Sequence, residues 1–204
     1  MSATPTVHIV DDDESFRTAT SRLLRASGLV VRTFASAREF FAERGPDVPG
    51  CVVADLQMPE MGGLELQAAL ARTRNPLPIL FLTGHGDIPS SVRAMRDGAE
   101  DFLEKRAPKA KLLDAVKRAL ERDLRERELR ARKLALRTRF DALTEREHEV
   151  LGHVVQGKLN KQIAADLGIH ERTVKLHRTA ITTKLGVPSV AELTRLTQEA
   201  GLFS

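Results

Sequence analysis

Five short apolar runs punctuate the first half of the chain, at 7–10, 29–34, 50–54, 78–83 and 101–104. Each has the length of a buried strand rather than a helix. Segments with helical spacing follow them, near 14–27, 36–43, 64–73, 88–97 and 109–120. In the first of these, Phe16, Leu23, Leu24 and Ser27 fall on one face. Strands alternating with helices predict a parallel sheet covered by helices on both faces. Such sheets bind ligands beyond the carboxyl ends of their strands.

The pattern then changes. Residues 121–139 contain no Gly or Pro and keep helical character. Four acid-to-base pairs stand at i,i+4: Glu121–Arg125, Asp123–Arg127, Glu126–Arg130 and Glu128–Arg132. Each such pair adds roughly 0.2–0.5 kcal/mol to a helix. The fifth helix is therefore expected to run on through about residue 137. Leu113, Val116 and Leu120 begin a coiled-coil seam, but Arg127 breaks it and Leu124 and Leu129 leave its register. A mostly solvated helix is the expectation.

Past this helix, Thr144 and Glu147 form a capping box ahead of Val150, Leu151, Val154 and Val155. That helix stops at Gly157; further helices are predicted near 160–167, 171–185 and 189–200. Gly168 and Ile169 make a tight turn between the second and third. Two short helices joined by such a turn fit a helix-turn-helix, and fit any small bundle equally.

Charge sharpens the division. The 204 residues carry 32 Lys and Arg against 28 Asp and Glu, a formal net charge of +4. Residues 1–106 hold 12 basic and 15 acidic side chains, residues 107–140 hold 12 and 5, and residues 141–204 hold 8 and 8. The whole positive excess therefore sits on the connecting helix, as expected for two modules and a joint. The chain has no Trp or Tyr, which disfavours single-strand nucleic-acid platforms built on stacked aromatics. Its lone Cys51 excludes a disulfide framework or a multi-Cys zinc site and is read as a core residue. The start, MSATPTVHIV, lacks the basic and apolar regions of a secretory signal, and no apolar run approaches a membrane span. A soluble cytoplasmic protein with no membrane partner is expected.

Chemistry gathers at the predicted strand ends. Asp11, Asp12 and Asp13 follow the first strand and Asp55 ends the third. Thr83 ends the fourth, with Gly84, His85, Gly86 and Asp87 behind it, and Lys105 follows the fifth. Crowded carboxylates repel unless a cation compensates, and an open all-oxygen set suits Mg²⁺. A metal, a Lys and a hydroxyl beside a carboxylate are equipped to receive a phosphoryl group. The carboxylate itself can be the nucleophile, and Asp55 is the best candidate because its strand is the most continuously apolar. Any one of these acids alone would more often be a helix cap or a solvated loop residue. Rival phosphate sites are absent: neither a G-x-G-x-x-G nor a G-x-x-x-x-G-K-[ST] sequence occurs.

At Val10–Asp13, Asp55 with Met58, Pro59, Gly62 and Gly63, then Thr83, then Asp101–Lys105, the sequence resembles the receiver domain of bacterial two-component response regulators. The resemblance covers roughly residues 6–120, and the 83–89 run looks most like the FixJ subfamily. It implies a flavodoxin-like sheet of order 2-1-3-4-5 and a phosphoryl group delivered to Asp55 by a sensor histidine kinase. It also implies Mg²⁺ on Asp12 and Asp55 directly, on Asp11 through water and on the backbone carbonyl of Gln57. Thr83 and Phe102 would be the switch pair. The family has Lys-Pro where this chain has Lys105–Arg106, with its proline later, at Pro108. In the family a cis peptide there aims the Lys. A non-proline cis bond costs ~3 kcal/mol, so either that cost is met or the loop differs and Lys105 approaches less closely.

The predicted third helix of the last module discriminates between bundle and DNA reader. Val174, Ile181 and Leu185 share a narrow arc, while Arg172, Lys175, Leu176, Thr179 and Thr183 lie opposite, with no acid among them. Basic, hydroxyl and methyl groups suit a major groove. Asn160 and Lys161 open the preceding helix, where they favour a phosphate, and Glu171 is a helix-dipole partner. With Leu143 to Leu151, Gly157, Asn160 to Ala164, Thr173 to His177 and Lys184–Leu185, this region resembles the LuxR-type DNA-binding domain over roughly 138–202. Leu159 and His170 stand where the family has Ser, and His170 is a poorer cap. His148 and His153 imitate a zinc-protease helix but stand i,i+5, on different faces.

The resulting expectation is a receiver over 6–120, a helical linker over 121–137 and an all-α four-helix DNA-binding domain over 138–202. The chain would be a transcriptional response regulator and not an enzyme, beyond slow loss of its own aspartyl-phosphate. Phosphorylation would remodel the face of the fourth helix and fifth strand and drive homodimerisation on double-stranded promoter DNA, with RNA polymerase a further partner. Two alternatives remain: a phosphorylation-independent DNA binder whose receiver only dimerises, and a phosphatase working through Asp55.

Overall fold

The computed structural model describes residues 4–45, 47–84 and 88–202. Its elements follow the predicted alternation: β1 Thr6–Val10, α1 Glu14–Ala26, β2 Val30–Phe34, α2 Ala37–Glu43, β3 Gly50–Ala54, α3 Gly63–Ala71, β4 Ile79–Thr83, α4 Ile88–Arg96 and β5 Asp101–Glu104. Next come α5 Lys109–Asp141, α6 Glu145–Val155, α7 Asn160–Leu167, α8 Glu171–Leu185 and α9 Val190–Ala200. The chain divides into two compact units, 1–127 and 128–204, and the division falls inside α5.

In the first unit the five strands pair in parallel in the order β2-β1-β3-β4-β5. Successive side chains of a strand point to opposite faces, and here both faces are covered. Val10, Val52, Ala54 and Phe81 pack with Phe40, Leu66, Leu70 and Ala94 from α2, α3 and α4. Val7, Ile9, Cys51, Val53, Leu80 and Leu82 pack with Leu24, Leu112 and Val116 from α1 and α5. Cys51 is fully buried and burial pushes its thiol up, so it is a core residue. Truncating a fully buried ring such as Phe81 costs about 3–5 kcal/mol. This layering carries every strand's carboxyl end to one edge.

Two local expectations change. Ser27 is the exposed C-cap of α1, and Thr20 and Ser21 take the inner face with Leu24, because the helix has ended where the spacing would next turn inward. Along α5, Asp123 pairs with Arg127 at 2.8 Å and Glu126 accepts from Arg122, but Arg132 pairs with Glu199 of α9 at 2.5 Å. At Arg132, pairing within the helix gives way to a partner on a neighbouring element. No residue from Leu124 to Ala135 is buried, which matches a solvated helix.

The second unit has its own core. Leu136 and Phe140 at the end of α5 join Val150, Leu151, Ile163, Val174, Ile181, Leu185 and Leu193. The predicted capping box of α6 forms: Glu147 N–H donates to Thr144 Oγ1, and Thr144 N–H donates to Glu147 Oε2 at 2.7 Å. Glu147 also meets Lys184 of α8 at 2.7 Å, and these bonds hold its carboxyl below the usual range.

Candidate functional site

Asp11 leaves β1 and Asp55 leaves β3, and these strands pair with each other. The Asp55 N–H donates to Val10 O at 2.9 Å, so the ladder itself sets the two carboxylates side by side. Asp11 is 2 % exposed and Asp55 8 %, whereas Asp12 is exposed. Asp11, Asp12 and Asp55 each offer a carboxylate oxygen, all within 4.8 Å of one another. Gly63 closes the far side: a Cβ there would stand 2.5 Å from Asp55 O, so only glycine lets α3 start this close. Gln57 lies beside the site, its N–H directed at Asp55 Oδ1 at 3.4 Å.

Lys105 completes the cluster. Its Nζ is 2.8 Å from Asp11 Oδ2 and 2.8 Å from Asp55 Oδ2. Burial by itself lowers the ammonium's pKa, but the two carboxylate bonds outweigh it and raise the net value. Burial pushes the Asp11 carboxyl up, against the opposing pull of Lys105 and the Asp13 N–H. No cis peptide occurs among the described residues. The loop after β5 instead turns through Ala107 N–H to Glu104 O at 2.8 Å, and Lys105 N–H bonds Thr83 O at 2.7 Å. The missing proline therefore does not keep Lys105 away: the loop differs, and its side chain still reaches both acids.

Asp13 separates from the other acids. It caps α1, accepting from the N–H groups of Ser15 at 2.9 Å and Phe16 at 3.1 Å. Those bonds hold its carboxyl low. Thr83 is buried at the end of β4, and Phe102 is half-buried on β5 with its ring 5.9 Å from that of Phe81. His85, Gly86 and Asp87, and with them part of the 83–89 run, lie outside the described residues.

In the second unit, α7 ends at Gly168, whose φ of 64° suits glycine, and α8 starts three residues later. Val174, Ile181 and Leu185 are buried, while Arg172, Lys175, Leu176, Thr179 and Thr183 are all exposed, Leu176 by 63 %. Among the described residues these five form a surface with no acid on it. Lys161 is exposed at the start of α7. Asn160 is half-buried, and its side-chain oxygen accepts from Arg178 of α8 at 3.1 Å. Arg178 thus ties the two helices together, a link invisible to helix spacing. His170 and Leu159 give no side-chain cap; Gln162 instead accepts the Leu159 N–H at 2.8 Å.

The sequence profile of the response regulator receiver domain matches residues 7–117, and that of the bacterial regulatory proteins of the luxR family matches residues 141–197. The chain belongs to the response regulators that join a receiver to a LuxR-type DNA-binding domain. Nodulation protein W of Bradyrhizobium diazoefficiens is 44 % identical over 196 residues, covering 96 % of this chain and 86 % of that protein. The transcriptional regulatory protein FixJ of Rhizobium meliloti is 40 % identical over 197 residues, covering 96 % of each. The structure of the response regulator StyR superposes with a TM-score of 0.83 at 45 % identity, covering 97 % of this chain and 100 % of that one.

As a response regulator of FixJ type, the chain is a transcription regulator controlled by phosphorylation, with a kinase and DNA as its partners. These are not enzyme families. Among the described residues no helix is long and apolar enough to cross a membrane. The acid cluster of this response regulator fits a divalent cation by its chemistry, since the three groups that crowd together are all oxygen donors and one of them is open to solvent.

Proposed function

We propose that Asp55 takes the phosphoryl group from a phosphohistidine of a sensor kinase. A carboxylate oxygen of Asp55 forms a new P–O bond, the P–N bond of the donor breaks, and the leaving imidazole keeps the electron pair and gains a proton. Asp11, Asp12, Asp55 and the carbonyl of Gln57 would hold Mg²⁺, which when bound offsets the charge of the phosphoryl oxygens. Lys105 already touches one oxygen of the accepting carboxylate, so its ammonium can follow the charge onto the new group. Thr83 donates its hydroxyl to the phosphoryl group, and Phe102 turns inward in response. The observation that carries this reading is Lys105 bridging Asp11 and Asp55 at 2.8 Å.

The output is homodimerisation through α4 and β5. Ile88, Val92 and Met95 are 78 %, 52 % and 47 % exposed on α4. With Phe102, Asp101 and Glu104 they border a shallow groove of about 590 Å³. An apolar patch with an acidic rim suits a regulated, reversible contact. The dimer presents two copies of α8 to a two-fold promoter site, with Arg172, Lys175, Leu176, Thr179 and Thr183 toward the major groove and Asn160 and Lys161 toward phosphate. RNA polymerase is then recruited as a further partner.

The test is acetyl phosphate with Mg²⁺ on the full chain, read by intact mass, oligomeric state and binding to selected DNA. The wild type should gain one phosphoryl group and bind DNA more tightly; Asp55→Asn should do neither. Phosphate-dependent affinity that survived in Asp55→Asn would overturn the reading. An unchanged mass and oligomeric state would favour the phosphorylation-independent binder.

A further inference from the structure

Lys105 has a third contact besides its two carboxylates. Its Nζ lies over the ring of Phe16, 4.4 Å from the centroid. An ammonium has three N–H donors. Two face Asp11 and Asp55, and the negative face of the ring receives the remaining side of the charge. Phe16 is itself held. It sits in the first turn of α1, its N–H bonded to the Asp13 cap at 3.1 Å. Its ring also borders a cavity of about 360 Å³, lined by Ala19, Leu23, Leu82 and Leu112 along with Lys105. Close packing therefore does not surround the ring on that side.

We infer that Phe16 is a positioning residue for phosphoryl transfer to Asp55, its ring aiming the Lys105 ammonium by a cation–π contact in a chain with no proline at position 106. The inference rests on the roles given above to Asp55 and Lys105. The side chain of Lys105 has four rotatable bonds, and two carboxylates alone leave it free to swing about the line joining them. A third fixed point removes that freedom. When Asp55 becomes an acyl phosphate, the ammonium's bond to the carboxylate oxygen is exchanged for one to a phosphoryl oxygen. The ring contact does not change in that exchange, so it serves as the pivot.

The test uses the full chain with Phe16→Leu, Phe16→Tyr and Phe16→Trp. Leu keeps apolar bulk and loses the ring face. Tyr and Trp keep the face, and the cavity gives the larger ring room. Phosphorylation by acetyl phosphate should slow about fivefold to thirtyfold in Phe16→Leu and return in Phe16→Tyr or Phe16→Trp. Without Mg²⁺ or phosphate, the Lys105 side-chain methylene protons should be ring-shifted upfield in the wild type and ordinary in Phe16→Leu. A wild-type rate in Phe16→Leu, or loss of rate that neither aromatic variant restores, would show the ring to be packing alone. Ordinary Lys105 shifts in the wild type would overturn the inference without any variant, even if Phe16→Leu failed to fold. Failure of the wild type itself to take phosphate would instead count against the role of Asp55.

Discussion

The carboxylate of Asp123 accepts the backbone N–H of Gly50 at 2.8 Å, joining α5 to the first residue of β3 across 73 positions of sequence. Asp123 is 1 % exposed and is bonded again by Arg127 Nε at 2.8 Å. Arg127 in turn donates to Val48 O at 3.0 Å and to Asp47. The start of β3, the strand that ends in the phosphoacceptor candidate, is thereby fastened to the helix that leaves the receiver. Asp123→Leu leaves Arg127 and the Gly50 N–H without this partner. It is expected to cost about 2–4 kcal/mol, and Asp123→Asn, which keeps one acceptor, clearly less. Urea unfolding of both variants measures the difference; equal stability to wild type would show that the clamp is idle.

His8 gives the receiver an acid limit. It is fully buried on β1 against the rings of Phe34 and Phe40, 5.9 and 5.5 Å away. Burial, then Arg44, then Arg32 lower its pKa from 6.5 to about 4. Between those values the unfolded chain binds a proton that the folded chain refuses, so stability rises with pH across the window and falls as pH drops through it. From about pH 7.5 to about pH 5 the loss is on the order of 2 kcal/mol. Urea titrations at the two pH values should show it, and His8→Leu should remove most of it.

Glu60 is the one non-glycine residue with positive φ, 63°, among the described residues. It lies in the loop between Asp55 and α3. A left-handed conformation costs an L-residue about 1–2 kcal/mol, part of which glycine returns as unfolded-state entropy. Glu60→Gly should therefore stabilise the chain by about 0.5–1 kcal/mol, read as a higher urea midpoint with an unchanged slope.

On α8, Arg172→Ala and Lys175→Ala should weaken binding to selected DNA by about 1–3 kcal/mol wherever the side chain reads a base. Where it meets phosphate, the salt dependence should drop by about one unit of slope. Arg178→Ala should behave differently. Its guanidinium is engaged by Asn160, so its loss should loosen α7 against α8 and lower stability, with little change in slope. Titrations at several salt concentrations, with melting curves beside them, separate the two.

Much of this protein was set by local pattern. Strand and helix depend on neighbouring side chains, so the alternation of the receiver, the long α5, the Thr144–Glu147 cap and the exposed face of α8 were all legible in order. The gathering of Asp11, Asp12, Asp55, Thr83 and Lys105 followed too, since a parallel sheet brings its strand ends to one edge. Folding alone decided which of these groups touch. Asp13 faces its own helix rather than the other acids because two backbone N–H groups lie nearer. Lys105 reaches Asp11 and Asp55 without a proline, and finds Phe16 beside it, because α1 and β5 are set by separate packing contacts. Asp123, which helix spacing offers as a surface ion-pair member, is buried against Gly50. Periodicity carries a side chain only as far as a face of its own element; its partner across the core is chosen by how the elements pack.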